Sequence, residues 1–226
     1  MQSVMRLCLG LALGSGVLAA TPASGGQDQP ILSAEAEFER FARAAKRLFV
    51  SGRYAEALQM SREAHAFAVA ELGPTHPFAL RALNDIAVVH QLRGELDAAL
   101  PLALRAAGEL ERTVGPDHAE TLNALANLAQ LHVTRGDKKL AEPLLRRVHA
   151  GRERTLGAGN EATLEALLEL AIFLKKEGRL RELAPRLAAA AETSIASQGA
   201  DSAITRDLTA AAAEARNPGR AEADAG

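Results

Sequence analysis

Two series of glycines run through the 226-residue chain in step. Gly52, Gly94, Gly136 and Gly178 form one, and Gly73, Gly115, Gly157 and Gly199 the other; in both, neighbours lie 42 residues apart. The same step carries Ala45, Ala87, Ala129 and Ala171, and Phe41, Leu83, Leu125 and Leu167. A fixed period of this length marks a repeat architecture. One unit cannot bury its apolar face alone, so units stack and each contacts its neighbours.

Each period holds two helical patterns. Leu80, Leu83, Ile86, Ala87 and His90 fall on one helical face, and Gly94 ends that pattern. Leu96, Ala99, Leu100, Ala103, Ala106 and Leu110 form a second face, which stops at Gly115-Pro116 because proline cannot continue a helix. Gly73-Pro74 is the matching stop one unit earlier, and Thr75 and Asp117 are the expected N-caps of the helices that follow. Asp137 follows Gly136 at the same kind of point. The patterns predict helices over residues 33–51, 54–72, 76–93, 96–114, 119–135, 138–156, 161–177 and 180–197, and a ninth over about 201–216 that covers the open end. Pro101, Pro143 and Pro185 fall in register near the start of each second helix, where proline is best tolerated. The alanine rows mark where paired helices approach closely, with Ala57, Ala99 and Ala141 serving the second helices.

Composition agrees with an all-α fold. Ala and Leu dominate, aromatic residues are 3% and Trp is absent, so residues that favour sheets are scarce. The formal net charge is −2 with both signs interspersed, which argues against a nucleic-acid binder.

Residues 1–20 read as a signal peptide. Arg6 precedes an uncharged stretch from Leu7 to Ala20, and small residues follow. That stretch is shorter than the roughly 20 apolar residues of a membrane span. Residues 21–32 read as a flexible leader, residues 33–216 as the repeat domain and residues 217–226 as a disordered tail. The expected location is secreted or periplasmic, in a bacterial envelope, with no integral span after cleavage. Cys8 is the only cysteine and lies in the signal segment, so the mature chain has neither a disulfide nor a thiol nucleophile.

No catalytic constellation is visible. There is no Gly-x-Ser-x-Gly elbow and no phosphate-cradling glycine loop, because the glycines are spread at repeat spacing. His90 and His132, like His76 and His118, are repeat-register pairs that read as structural, and no ligand cluster has the spacing of a metal site. The expectation is a protein that is not an enzyme, with no cofactor and no metal.

The segment from Gly115-Pro116-Asp117-His118 through Thr121-Leu122 to Leu125-Ala126-Asn127-Leu128-Ala129 resembles the repeat of kinesin light chains and the 42-residue tetratricopeptide repeats. Gly73-Pro74-Thr75-His76-Pro77 with Leu83-Asn84-Asp85-Ile86-Ala87 matches again, and Gly52-Arg53-Tyr54-Ala55-Glu56-Ala57 matches the opening of a second helix. The resemblance covers about residues 35–197 and fades in the fourth unit, where Gly157-Ala158-Gly159-Asn160 lacks His-Pro and Leu183 replaces alanine. It implies a right-handed superhelical solenoid of about four tetratricopeptide-like helix pairs with a C-terminal capping helix. Its first helices would line a concave groove that binds a peptide or protein partner.

Carried over by register, the groove residues are Arg81, Asn84, Asp85, Gln91, Asn123, Asn127 and Gln130, with Lys46 beside them. Asn and Gln can pair with a peptide backbone of any sequence, and Arg81 could hold a carboxylate bidentately. The predicted function is a non-catalytic protein–protein interaction scaffold; the alternative is a structural or self-associating envelope module. The sequence leaves the oligomeric state and the partner open.

Overall fold

A computed structural model describes residues 28–217. The described residues form nine α-helices and one short 3-10 turn, with no strand among them. The helices are α1 (Asp28–Val50), α2 (Tyr54–Glu71), α3 (Pro77–Leu92), α4 (Leu96–Val114), α5 (Ala119–Arg135), α6 (Lys138–Leu156), α7 (Glu161–Lys176), α8 (Ala184–Gln198) and α9 (Ala203–Arg216). The 3-10 turn, Leu180–Leu183, precedes α8. The chain divides into two compact units between Ala141 and Glu142, inside α6. The signal-peptide reading and nearly all of the tail lie outside the described residues.

Most predicted helices match to within a residue or two, with two exceptions. α1 begins at Asp28, so its first turn takes up the end of the stretch expected to be a flexible leader. Pro30 falls in that turn, whose N–H groups have no intrahelical partner, so the proline costs nothing there. The second helix expected at 180–197 splits into the 3-10 turn and α8, with Pro185 in the first turn of α8. Pro101 and Pro143 are instead held inside α4 and α6.

Helix starts follow the period too. His76, His118, Asn160 and Ser202 lie 42 residues apart, and each side chain accepts a backbone N–H of the next turn. For the two histidines the acceptor is Nδ1, 3.3 Å from the Phe78 N–H and 3.2 Å from the Glu120 N–H. The expected caps Thr75 and Asp117 therefore sit one residue too early. At the other end of α5, Gly136 adopts the left-handed conformation (φ 84°), which a residue with a Cβ takes only under strain.

In the first unit, Ala57, Ala99, Ala129 and Ala141 are fully buried and Ala45 and Ala87 nearly so, as close helix packing demands. Five of the six phenylalanines and the one tyrosine lie between residues 38 and 78. They gather in the first repeat and where it meets the second: Phe38 stacks on Phe78 of α3 with centroids 4.8 Å apart, and Phe41 meets Phe67 at 5.5 Å. A second cluster joins Ala57, Leu58, Ile86 and Val89 to Phe49 and Tyr54. In the second unit the core is mainly aliphatic, built on Leu164, Leu170, Leu174, Leu183, Leu187 and Leu208, with Phe173 buried among the core residues. There the buried Ser194 and Thr205 hydroxyls bond to each other at 2.7 Å. Among the described residues no helix is long and apolar enough to cross a membrane.

Candidate binding face of the first helices

The first helix of each pair in the first unit, α1, α3 and α5, lies beside the next. All seven sequence-predicted site residues lie on two of these helices, α3 and α5. Their chemical states differ widely.

Arg81 is not a free anion clamp. Its Nη2 donates to Glu39 Oε1 of α1 at 2.8 Å, and its Nη1 lies 3.7 Å from Glu120 Oε1 of α5. Its guanidinium carbon also sits 4.9 Å from the Phe38 ring centroid and 5.2 Å from that of Phe78. Charge, hydrogen bonds and aromatic faces thus tie three consecutive first helices through one side chain. Burial lowers the Arg81 pKa, but Glu120, Asp85 and Glu39 outweigh it and the net shift is upward.

Asp85, one turn after Arg81, is partly buried. Burial pushes its carboxyl up to about 7; Arg81 opposes that, while Glu120 and Glu39 add to it. Glu120 is raised for the same leading reason, burial, with Arg81 opposing and Glu39 adding. No donor among the described residues bonds the Asp85 carboxylate.

Asn84 and Asn127 are 5% and 6% exposed. Asn84 Oδ1 and Asn127 Nδ2 are buried without a hydrogen-bond partner. Leaving such an atom unpaired costs about 1–3 kcal/mol, so native folds seldom tolerate it away from a site. Gln91, by contrast, spends its amide on Thr134 Oγ1 of α5 at 3.0 Å. Asn123 and Gln130 are partly buried on α5, and Lys46 is exposed on α1.

Sequence reasoning named Arg81 and Asp85 but missed Glu39, Glu120, Phe38 and Phe78, which decide what Arg81 can do. The available signal was register: Glu39 precedes Arg81 by 42 residues, so side-by-side first helices place the pair in contact. A smaller device was missed in the same way. His90 Nδ1 meets Glu95, and His132 Nδ1 meets Asp137 at 3.3 Å, each tying the end of a first helix to the start of the second.

The second unit has its own charge group. Arg152, 4% exposed, donates to the Ala162 carbonyl at 3.1 Å. Glu169 stands 84 residues after Asp85, in the same register. Burial pushes it up to about 7, with Arg152 opposing and Glu165 adding.

Two models of the tetratricopeptide repeat match the chain, one over residues 45–108 and the other over residues 121–161. Among solved structures the chain is similar to a putative kinesin light chain of nearly identical TPR-like repeats from Podosopora anserina. Identity is 22%, with 83% of this chain and 90% of that chain covered and a TM-score of 0.71. A single-residue variant of that protein matches at 21% identity with the same coverage and TM-score. BtubC (BKLC) from P. vanneervenii is similar over 89% of this chain and 93% of that one, at 15% identity and a TM-score of 0.53. No curated protein sequence matches. At these identities the structural likeness speaks to fold, an all-α helical-repeat solenoid.

Proposed function

Because the chain is a tetratricopeptide-repeat protein of kinesin light chain-like fold, we propose that it is a non-catalytic scaffold that binds an extended segment of a protein partner. The docking surface is the face of α1, α3 and α5. Tetratricopeptide repeats generally mediate protein–protein interaction, and that function requires polar groups that can pair with a backbone. The observation that carries the reading is the pair of amides on Asn84 and Asn127, which make no hydrogen bond within the described structure. An amide offers both a donor and an acceptor, as does each peptide unit of a partner. Gln130 on α5 adds a third amide on the same face.

The N-terminal pattern of residues 1–20 supports export to the bacterial envelope, where the partner would be met; the mass of the mature N-terminus tests this. The docking face is tested by capture from an envelope extract. The native chain and the Asn84→Ala/Asn127→Ala double variant are compared at equal helicity by circular dichroism. A protein retained by the first and lost by the second is the expected result. Equal capture by both refutes the docking face.

A further inference from the structure

One guanidinium and three carboxylates meet where α1, α3 and α5 adjoin. Arg81 is fully engaged: Glu39 and Glu120 flank its two terminal nitrogens, and two phenyl rings lie against it. Asp85 is therefore left with no donor of its own, beside two further carboxylates that repel it. A partly buried carboxylate in that position lacks one positive charge. The deficit is local rather than a property of an acidic surface, since the whole chain carries only −2 and Arg43 and Lys46 stand exposed on α1. Neither of those cations contributes to the field at Asp85, which is set by Arg81 from α3, Glu39 from α1 and Glu120 from α5. The unspent amides of Asn84 and Asn127 share this face, so a backbone held there would carry its side chains past Asp85.

We propose that Asp85 is the seat for a cationic side chain, lysine or arginine, carried by the extended protein segment that docks on the first-helix face. The proposal rests on that face being the docking surface and adds the chemistry of the partner. An incoming ammonium or guanidinium supplies the missing positive charge and the missing donors together, in a site where water screens poorly. Burial raises Asp85 to about 7 even though Arg81 opposes the shift, in keeping with the geometry that leaves its carboxylate without a donor. The second unit repeats the imbalance independently: Glu165 and Glu169 share the single nearby Arg152, and Glu169 occupies the register of Asp85.

The test is selection of a phage-displayed random 12-residue peptide library on the whole protein at pH 8. Enriched peptides are then synthesised and their affinities measured. The proposal expects a lysine or arginine at one fixed place in the enriched peptides. Replacing that residue by glutamine and changing Asp85→Asn should each weaken binding about tenfold, the scale of one charged hydrogen bond. The two changes together should weaken it hardly more than either alone, as paired residues require. Glu39→Gln, which leaves Asp85 in place, should give a smaller loss in the same direction. At pH 5.5, below the raised pKa of Asp85, a proton competes for the carboxylate and the preference for the basic peptide should shrink. Enriched peptides with no basic residue, or losses that simply add, overturn the cation seat while leaving the docking face standing, provided Asn84→Ala/Asn127→Ala abolishes their binding. Enrichment of no peptide, or binding indifferent to the amide double variant, overturns both.

Discussion

Replacing Asp85 by asparagine should stabilise this protein, and more so the higher the pH. Its carboxyl ordinarily titrates near 3.8, and in the fold burial carries it to about 7. At about 1.4 kcal/mol per pH unit, that gap corresponds to a ceiling of about 4 kcal/mol by which folding disfavours the ionised form. The sign follows from linkage. A carboxyl whose folded pKa lies above its unfolded value costs nothing below pH 4, where both states hold the proton. The cost grows as pH rises and is complete above 7. Asparagine has nearly the shape of the protonated acid and never carries the charge. Two effects pull the gain below the ceiling: Asp85 is only partly buried, and the variant takes from Arg81 one of its three counter-charges. A gain of about 1–2 kcal/mol at pH 8.5 is therefore expected, or roughly 2–8 °C in melting temperature at about 2–4 °C per kcal/mol for a chain of this size. At pH 5, about one unit above the ordinary pKa, only about two-fifths of the cost has developed, so the gain should be less than half of that at pH 8.5. Circular dichroism melts of both proteins at the two pH values measure the difference, and Glu169 cancels because both carry it. A variant less stable than the native chain at pH 8.5, or a gain of equal size at both pH values, would show that the charge at Asp85 is already compensated and would remove the physical basis of the cation seat.

Arg81→Gln does the reverse, leaving Glu39, Asp85 and Glu120 with no cation among them. It should cost about 3 kcal/mol or more by urea denaturation at pH 8.5, in line with breaking a buried ion pair. The cost should be smaller at pH 5, since Asp85 and Glu120 are both raised and take up protons on acidification. Glu169→Gln, in the second unit, should stabilise above pH 7 and be nearly silent at pH 4, with the same sign and reason as Asp85→Asn. Gly136→Ala forces a Cβ into the left-handed C-cap of α5 and should lower stability by about 1 kcal/mol at either pH. His118→Ala removes the side-chain cap of α5 and should cost about 1 kcal/mol by urea denaturation.

What could be read from the chain alone was whatever the period repeats. Glycine and alanine rows fix where helices end and where they touch, and those residues act through backbone geometry and size, which register alone reveals. Helix caps were one step less legible. The rule favours Ser, Thr, Asp and Asn, so Thr75 and Asp117 stood out, yet the ring nitrogens of His76 and His118 take the N–H groups. Asn160 and Ser202, in the same row, obey the rule and show that the row itself was the better guide. Least legible was the state of the candidate face. Arg81 looked free because Glu39 and Glu120 are distant in sequence and lie on other helices. Only the side-by-side placement of α1, α3 and α5 makes neighbours of residues 42 positions apart. The start of α1 at Asp28 was hidden by proline and polar residues that a first turn accepts as readily as a leader does.

The contrast between constant and variable rows bears on where recognition resides. Stacked repeats are held together by each unit's fit to the next, so the residues that make that fit must recur, and they do: the row of Ala45, Ala87, Ala129 and Ala171 is buried throughout. The row of Asp85 does not recur. It reads Arg43, Asp85, Asn127, Glu169: a cation, an acid, an amide and an acid, on helices whose packing rows hardly change. Stacking cannot require four such different side chains at one position. Nor does this row optimise stability, since it holds one unbonded amide and two carboxylates raised to about 7. Local costs without a structural return are what a binding surface imposes on a fold that is otherwise consistent. Exchanging Asp85 and Asn127 for one another tests the point directly. If the row encodes recognition, the swapped chain should stay as helical as the native one and move the preferred position of the basic residue along the selected peptide by one repeat. An unmoved preference would mean that the row's variety has no part in binding.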